Sequence, residues 1–437
     1  MRPLKSLSFE AFVEMLRAAC RQIPDHLNPQ CITWELPAVA MSAFAMFFFQ
    51  PPSLPEYQRR LKQKRGRANL ESLFGVEGLP SDAQMRELLD GATVEPLRGV
   101  LTETFERMRR PGWAAKFVTE INGEKYYTAA LDGSQYFSST KIHCPSCLHW
   151  EDKNGAAHYS HVVVGATLVR AGSHDILPLD AEDVRNADGR AKQDCEINAA
   201  RRLIVRLREN HRQLKLCIGG DDLYSPEPFI LELRALRLGF VLVAKPASHQ
   251  ELFAWVEDSD RLGECVKGNW EEGPACQRRY FEYRIATQVP LTQTGKVLVN
   301  FVEVWERNKA GKVVCHNSWV TDFEVTHANA ATIIGVGRSR WKIENEQFNV
   351  QKNHGYELEH NYGHGQHNLA LVFYLLNLLA FLAHKVLELG DRRYQQCRVG
   401  ESRRGLWALL RAAFYLFTFE NWDELLRYHL SDEMRGP

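Results

Sequence analysis

The chain has 437 residues, of which 45% are hydrophobic and 25% are charged. This composition is typical of globular proteins and excludes a disordered or fibrous class, and the length predicts two or three modules around a large core. The 54 Lys and Arg residues balance the 54 Asp and Glu residues, which excludes a uniformly basic nucleic-acid binder but leaves room for local basic patches.

Neither a secretion signal nor a membrane span is predicted. The apolar run Ala38 to Phe49 is too short and starts too late for a signal peptide. A second run, Leu369 to Ala383, contains Asn377 and is shorter than the ~20 residues that cross a bilayer, so we expect a buried helix. The ten cysteines are scattered and mostly single, as in proteins with reduced thiols. We therefore expect a cytoplasmic protein without a membrane partner.

The first region, residues 1–115, is predicted to be helical. An apolar run stops at a pair of prolines; Ser81 or Asp82 is a typical residue for the start of a helix, and Gly91 for its end. Between these features, residues 59–67 are rich in Lys and Arg, which attract a DNA phosphate backbone. A solvated basic loop is the alternative. The candidate DNA-binding residues of this segment are Arg59, Arg60, Lys62 and Lys64.

The next region, residues 116–246, has the pattern of an α/β core. Alternating polar and apolar residues predict three strands, in residues 125–137, 158–172 and 174–184. Helical spacing follows in residues 192–213, and the apolar run after it is typical of a buried strand.

Residues 247–325 interrupt this α/β rhythm with alternating segments rich in Trp, Tyr and Val, which predict an inserted β module. Residues 326–390 are expected to complete the core. The last region, 391–437, is predicted to be helical.

The stretch from 338 to 365 reads RSRWKIENEQFNVQKNHGYELEHNYGHG and predicts a helix over its first half, because no Pro or Gly occurs before Gly355. The expected buried side carries Trp341, Ile343, Phe348 and Val350, and the expected polar stripe carries Arg340, Glu344, Gln347 and Gln351. A carboxylate one turn from a guanidinium is a plausible catalytic face, and an ordinary solvated Arg–Glu pair is the alternative.

The order Arg340, Trp341, Ile343, Glu344 and Phe348, followed by Lys and Gly-Tyr, resembles the signature of bacterial insertion-sequence transposases. The resemblance is to the DDE type of the insertion-sequence-four superfamily and extends over about residues 125 to 390. It implies a ribonuclease-H-like core with an inserted β module, in which two Asp and one Glu surround a divalent metal, Mg²⁺ or Mn²⁺. Gly337 stands where that family has Tyr, and Gln351 where it has Lys.

The resemblance implies that Asp132, Asp221 and Glu344 are the catalytic acids and metal ligands. Asp132 lies within a predicted strand and Asp221 at the end of another, so both can reach one edge of a sheet. A turn or cap role is the alternative for any single Asp. Like charges this close should raise pKa values in the metal-free site. Glu196 also matches a family position, with a role as an N-terminal helix acid as the alternative.

A second cluster has the spacing of a metal site. Cys144 and Cys147 are followed by His158 and His161, which together permit a tetrahedral structural Zn²⁺. Against this, short Cys pairs are often simply buried. An alternative function follows from this cluster, a zinc-dependent hydrolase, which would need an open metal position and a base beside it.

The resemblance implies a function in DNA transposition. The expected partners are the double-stranded DNA ends of the element that encodes the chain and a target DNA, bound by a homodimer. Arg340 and Lys352 are the candidate phosphate contacts, and Trp319 is a candidate for stacking on an extruded base, with a core role as its alternative. The other alternative function is a catalytically silent DNA-binding relative, against which the three intact acids argue.

Overall fold

The computed structural model describes residues 7–24, 34–185, 193–274 and 278–431. Within these residues the helices are α1 (Phe9–Cys20), α2 (Leu36–Phe49), α3 (Leu54–Leu61), α4 (Lys64–Phe74), α5 (Asp82–Asp90), α6 (Glu95–Arg109), α7 (Glu196–Asn210), α8 (Glu227–Ala235), α9 (Gln250–Arg261), α10 (Ala330–Ser339), α11 (Asn349–Asn353), α12 (Leu369–Gly390), α13 (Arg392–Cys397), α14 (Arg403–Leu416) and α15 (Trp422–Leu430). The strands are β1 (Val118–Ile121), β2 (Glu124–Ser139), β3 (Leu148–Glu151), β4 (Ala157–Val169), β5 (Leu177–Val184), β6 (Leu216–Gly220), β7 (Gly239–Val243), β8 (Val266–Glu272), β9 (Arg279–Pro290), β10 (Leu298–Arg307) and β11 (Val313–Thr321).

The strands form one mixed sheet in the order β3-β4-β2-β6-β7-β11-β10-β9-β8. Strand β5 pairs with the same edge of β4 as β3, and β1 forms a hairpin with β2. The pairs β2–β4 and β4–β5 are antiparallel, whereas β2–β6 and β6–β7 are parallel. The predicted α/β class is therefore confirmed at the level of a mixed α/β fold.

Both faces of the central strands are covered. In β6, Leu216 and Ile218 join the large core that includes α7, whereas Cys217 between them joins a second core that includes residues of α10. Alternation along a strand sends successive side chains to opposite faces, so an uninterrupted apolar run is what a strand between two helical layers requires.

The strands of the predicted inserted module continue the same sheet. Strand β11 pairs antiparallel with β7, placing Trp319 opposite Val243, and β10, β9 and β8 follow in antiparallel order. Helix α9 precedes them. The predicted β content of residues 247–325 is present, in strands that share hydrogen bonds with the α/β core.

The helical N-terminal region packs on the sheet through α6. Helix α2 packs against α12, whose most apolar stretch is 94% buried inside the protein. Helix α12 is long and apolar enough to cross a membrane, but its burial is that of a core helix, as predicted. At the contact of α6 with β5, Arg98 donates a hydrogen bond to Glu182 at 2.8 Å.

The predicted active-site helix is not one regular helix. Helix α10 ends at Ser339, residues Ile343–Phe348 form a π-helical turn, and α11 follows directly. The expected polar stripe is therefore wrong in part, because a π turn has more residues per turn than an α-helix and so spaces successive side chains at less than ~100°. Gln347 and Gln351 are buried and bond to Thr167 and Asn377, while the expected core residue Trp341 is 52% exposed.

Candidate active site

Asp132, within β2, and Asp221, directly after β6, lie side by side on two parallel strands. Ala130 of β2 pairs with Gly219 of β6, so Asp132 and Asp221 each stand two residues beyond that pair. Neighbouring strands are ~4.8 Å apart, which makes the two positions immediate neighbours. The Asp221 carboxylate also accepts a hydrogen bond from the Leu223 backbone N–H at 2.9 Å.

The π-helical turn brings Glu344 over the same place. Asp132 pairs with Gly165 of β4, and Phe348 and Ile343 of the turn pack directly on Gly165. A Cβ at residue 165 would lie 3.0 Å from the Phe348 ring, so glycine permits this close approach of the turn to the sheet. Glu344 is exposed and free of the core.

Arg340 connects the helical stretch to the sheet. Its Nη1 donates to Oδ2 of Asp132 at 3.1 Å, and both side chains are largely buried. The Nε atom of Arg340 is also buried and makes no hydrogen bond within the part of the chain that the structure describes. The guanidinium therefore has donor capacity beyond its contact with Asp132.

A fourth carboxylate, that of Glu196 at the start of α7, belongs to this cluster. Its Oε1 accepts a hydrogen bond from the Tyr224 hydroxyl at 2.6 Å. Gly133 leaves room for it, because a Cβ at that position would overlap the Glu196 carboxylate. We call Asp132, Asp221, Glu196 and Glu344 the acidic cluster.

The electrostatics of the acidic cluster are those of crowded negative charges. Burial raises the pKa of Asp132 to about 6, against the opposing effect of Arg340. The negative charges of Asp221, Glu196 and Glu344 add to that rise. Burial also raises the pKa of Glu196, the Tyr224 hydrogen bond opposes this, and the charge of Asp221 adds to it. The donor set fits a hard divalent cation, which prefers carboxylate oxygens and would offset this charge.

The neighbouring acids have other partners. Asp222 accepts hydrogen bonds from the Lys245 backbone N–H at 2.8 Å and from the Ser248 hydroxyl. Glu346 lies 3.0 Å from His174. Asp222 and Glu346, the neighbours in sequence of the predicted ligands Asp221 and Glu344, are therefore engaged by partners outside the acidic cluster.

The structure brings together a Cys/His cluster that differs in one residue from the predicted one. Cys144, Cys147, His161 and His364 are buried, and their ligand atoms all lie within 4.8 Å of one another. His158 was predicted in this set and is wrong, because it stacks on Trp150 at 4.2 Å between ring centroids. His158 and His161 are three residues apart on β4, and this odd spacing sends them to opposite faces of a strand.

The basic residues predicted to contact DNA differ in the ion pairs that they form. Arg59 and Arg60 both bond to Glu56, so their charge is partly neutralised, and Lys352 pairs with Glu359 at 2.9 Å. Lys62 and Lys64 are exposed, and no ion pair engages either of them within the described residues.

Trp319 does not lie on an accessible surface. It is 2% exposed in the core formed with α10, where Gly337 is so close that a Cβ would overlap the indole ring. The predicted stacking of Trp319 on a base is therefore corrected to the core role, and Gly337 explains how the large ring fits beneath the helix.

His364 is the residue of the Cys/His cluster that the sequence prediction missed. It lies in the sequence NYGHG, 203 positions from His161, and a spacing rule for nearby Cys and His residues does not reach that far. Comparison with known proteins does not place the chain in a family, since no family model and no curated protein matches it.

Proposed function

We propose that the chain is a DDE-type transposase that cleaves and joins the DNA ends of its own element by metal-dependent phosphoryl transfer. The observation that carries the proposal is the convergence of Asp132, Asp221 and Glu344 from three separate stretches of the sequence, with their charges coupled at Asp132. A cluster of carboxylates with a perturbed pKa beside a cationic side chain is typical of catalytic sites.

The topology supports a ribonuclease-H-like core. Strands β5, β4 and β2 form an antiparallel set, and β6 and β7 extend it in parallel with α7 between the two sets in sequence. This is the arrangement of strands and helix that the resemblance implies for such a core. Asp221 follows the carboxyl end of β6 with Asp132 of β2 beside it, and the carboxyl ends of parallel strands are where open α/β sheets bind ligands.

Asp132, Asp221 and Glu344 would hold Mg²⁺ or Mn²⁺, and Glu196 is close enough to assist. Bound divalent ions activate an attacking oxygen and stabilise a leaving oxygen in phosphoryl transfer. Arg340 orients the Asp132 carboxylate and keeps it ionised, since the positive charge opposes the rise in its pKa. The unpaired Arg340 Nε adds a donor suited to a phosphate oxygen.

The DNA partners of the proposed reaction are the ends of the element and a target DNA, bound by a homodimer. Lys62 and Lys64 are the exposed cations of the 59–67 segment that are free to meet a phosphate backbone. A catalytically silent relative would not need the acidic cluster to be intact. A zinc hydrolase would need an open metal position, whereas four protein ligands surround the Cys/His site.

The proposal is tested with a DNA duplex that carries the sequence flanking the gene, incubated with the purified protein and Mg²⁺. We expect strand cleavage at the end of the element that stops when EDTA is added. Asp132→Asn and Glu344→Gln should retain DNA binding and lose cleavage by more than ~10³-fold, because a ligand lost from the site lowers metal occupancy and positioning together.

The matched control is Glu346→Gln, which removes the same charge two residues away. Its carboxylate lies beside His174, so cleavage should remain within a few-fold of the wild type. Equal loss in Glu346→Gln and Glu344→Gln, or cleavage that persists in Asp132→Asn, would contradict the proposed site.

A further inference from the structure

The four side chains of the Cys/His cluster have the separations of a tetrahedral metal site. The two Sγ atoms are 3.8 Å apart, and Nε2 of His161 is 3.5 Å from each of them. Nε2 of His364 lies 3.3 Å from Sγ of Cys147 and 3.0 Å from Nε2 of His161. With Zn–S of ~2.3 Å and Zn–N of ~2.0 Å, the edges of a zinc tetrahedron are ~3.3–3.8 Å, so the observed atoms surround one ion position.

The orientation of His364 supports coordination through Nε2. Its Nδ1 lies 2.8 Å from the carbonyl oxygen of Gly365, and a carbonyl only accepts, so Nδ1 carries the proton. The lone pair of the neutral ring is then on Nε2, which faces the sulfur atoms. A backbone carbonyl behind a ligating imidazole is the usual outer partner in metal sites.

The chemistry of the donors selects the metal. Two thiols and two imidazoles in a tetrahedral, buried arrangement suit Zn²⁺ and do not suit the hard cations expected at carboxylates. A disulfide is not formed, since the sulfur atoms are far beyond the ~2.05 Å of an S–S bond.

From these observations we propose that Cys144, Cys147, His161 and His364 bind one structural Zn²⁺, with His364 as the ligand from a distant part of the chain. The two thiols lose their protons to solvent when the ion binds, and no oxidation or reduction is involved. Four protein ligands leave no position for a water molecule, so the site is structural. This inference is independent of the proposed transposase function.

The consequence of the site is a fixed connection between the sheet and the segment that follows the Glu344 turn. Cys144 and Cys147 lie in the connection from β2 to β3, and His161 lies on β4, the strand that pairs with β2. His364 lies 20 positions after Glu344 in the sequence. Zinc would therefore hold the segment around His364 against β2 and β4. These are the strands that carry Asp132 and Gly165, next to the π-helical turn.

The same segment is held on its other side by α5. The Asp90 carboxylate accepts hydrogen bonds from the backbone N–H groups of Gln366, His367 and Leu369 at 2.8 to 3.0 Å. Gly365 allows this contact, because a Cβ there would overlap the Asp90 carboxylate. Loss of the metal should thus loosen the segment without releasing it.

The first test is the metal content of the purified wild-type protein, measured by elemental analysis after dialysis against metal-free buffer. We expect one zinc per chain. The second is reconstitution of the metal-free protein with Co²⁺, which should give the visible bands of a tetrahedral ion and a thiolate-to-metal charge-transfer band. If the wild-type protein contains no zinc and also fails to bind Co²⁺ in a tetrahedral site with thiolate ligands, the proposal is wrong.

The third test separates the ligands. His364→Ala and Cys147→Ser should lower zinc affinity by more than the ~10–100-fold that an outer hydrogen-bond partner costs. His158→Ala is the matched control, because His158 lies on the same strand outside the cluster, and it should keep one zinc per chain. A loss of zinc in the His158 variant with retention in the His364 variant would restore the ligand set predicted from the sequence and overturn this one.

Hydrogen exchange provides a readout of the connection itself. Removal of zinc from the wild type should speed exchange in residues 360–369, while α15 stays protected as an internal reference. Unchanged exchange in residues 360–369 would contradict the role of the metal in holding this segment. None of these four measurements depends on DNA cleavage, so failure of the zinc site and failure of the proposed function are distinguishable.

Discussion

Arg340 donates a hydrogen bond to Asp132 at 3.1 Å, although the two residues are 208 positions apart in sequence. This contact joins the stretch that follows α10 to strand β2 of the sheet. The guanidinium opposes the rise in the Asp132 pKa that burial and three neighbouring carboxylates cause. Arg340 therefore affects the charge of an acid that lies far from it in the sequence.

We predict that Arg340→Gln raises the pKa of Asp132 above about 6. The lost positive charge favoured the ionised carboxylate, so its removal favours the protonated form. At neutral pH a larger fraction of Asp132 is then protonated, and the acidic limb of the cleavage profile should move to higher pH. The pKa is measured by NMR titration of labelled Asp carboxyl carbons in the metal-free protein.

The control for this titration is Arg338→Gln, which removes a nearby arginine that pairs with Glu306 at 2.6 Å. The Asp132 pKa should be almost unchanged in this variant. An equal shift in both variants would mean that the general charge of the region, and not the hydrogen bond of Arg340, sets the pKa.

Gly165 provides a second prediction. A valine at residue 165 would push against Phe348 and Ile343, and would move the π-helical turn away from Asp132. We expect Gly165→Val to destabilise the fold by ~1–3 kcal/mol, which is typical of overpacking, and to abolish cleavage even where the protein remains folded. Chemical denaturation and the cleavage assay check the two effects separately.

Gly99→Ala is the matched control, because a Cβ at Gly99 in α6 meets nothing within 4 Å. An alanine in a helix is favoured over glycine, so this variant should be as stable as the wild type or more so, with cleavage retained. If Gly165→Val cleaves DNA at the wild-type rate, the approach of the turn to the sheet is not required for activity.

Several parts of the fold and site are predictable from sequence. Alternation and helical spacing identify the core strands and α7, and the placement of Asp221 at a strand end follows from the apolar run before it. Contacts across long sequence distances are not accessible in this way. Periodicity predicts that β2 and β6 are strands, but not that Asp132 and Asp221 stand in register.

The errors have local physical causes. The π-helical turn breaks the ~100° spacing on which the polar stripe was based, so Gln347 and Gln351 are buried. The odd spacing of His158 and His161 was a signal that could have excluded His158 from the predicted zinc ligands, because β4 was predicted as a strand. Nothing local indicates His364, whose position depends on the packing of the loop before α12.

The buried charges at the contact of α6 with β5 predict a pH dependence of stability. Burial alone would raise the pKa of Glu182, but Arg98, Arg206 and Arg202 outweigh it and lower the pKa from 4.5 to about 2. A carboxyl group whose pKa is lower in the folded state stabilises the fold above its unfolded pKa. This stabilisation should be lost as the pH falls from about 4.5 to about 2, observed as a decrease in Tm.

Arg98→Met should weaken this acid dependence and destabilise the protein by ~3–5 kcal/mol at neutral pH, because Glu182 stays buried with fewer partners. The control is Arg261→Gln, which breaks an exposed pair with Asp258 and should cost at most ~1 kcal/mol. Equal effects of the two substitutions on Tm would contradict the importance of the buried network.

The final prediction concerns DNA affinity. It compares two pairs of basic residues in the 59–67 segment that carry the same charge, Arg59 with Arg60 and Lys62 with Lys64. Arg59 and Arg60 are engaged by Glu56, whereas Lys62 and Lys64 are exposed. Each phosphate neutralised contributes ~0.9 to the slope of log K against log salt concentration. Lys62→Gln with Lys64→Gln should therefore reduce the slope by up to ~1.8, and Arg59→Gln with Arg60→Gln should reduce it less. Binding measured by fluorescence anisotropy over a range of salt concentrations gives both slopes. Slopes unchanged in both variants would mean that the basic residues of this helical segment are solvated and do not contact DNA, and wild-type binding that does not weaken with salt would contradict the proposed function.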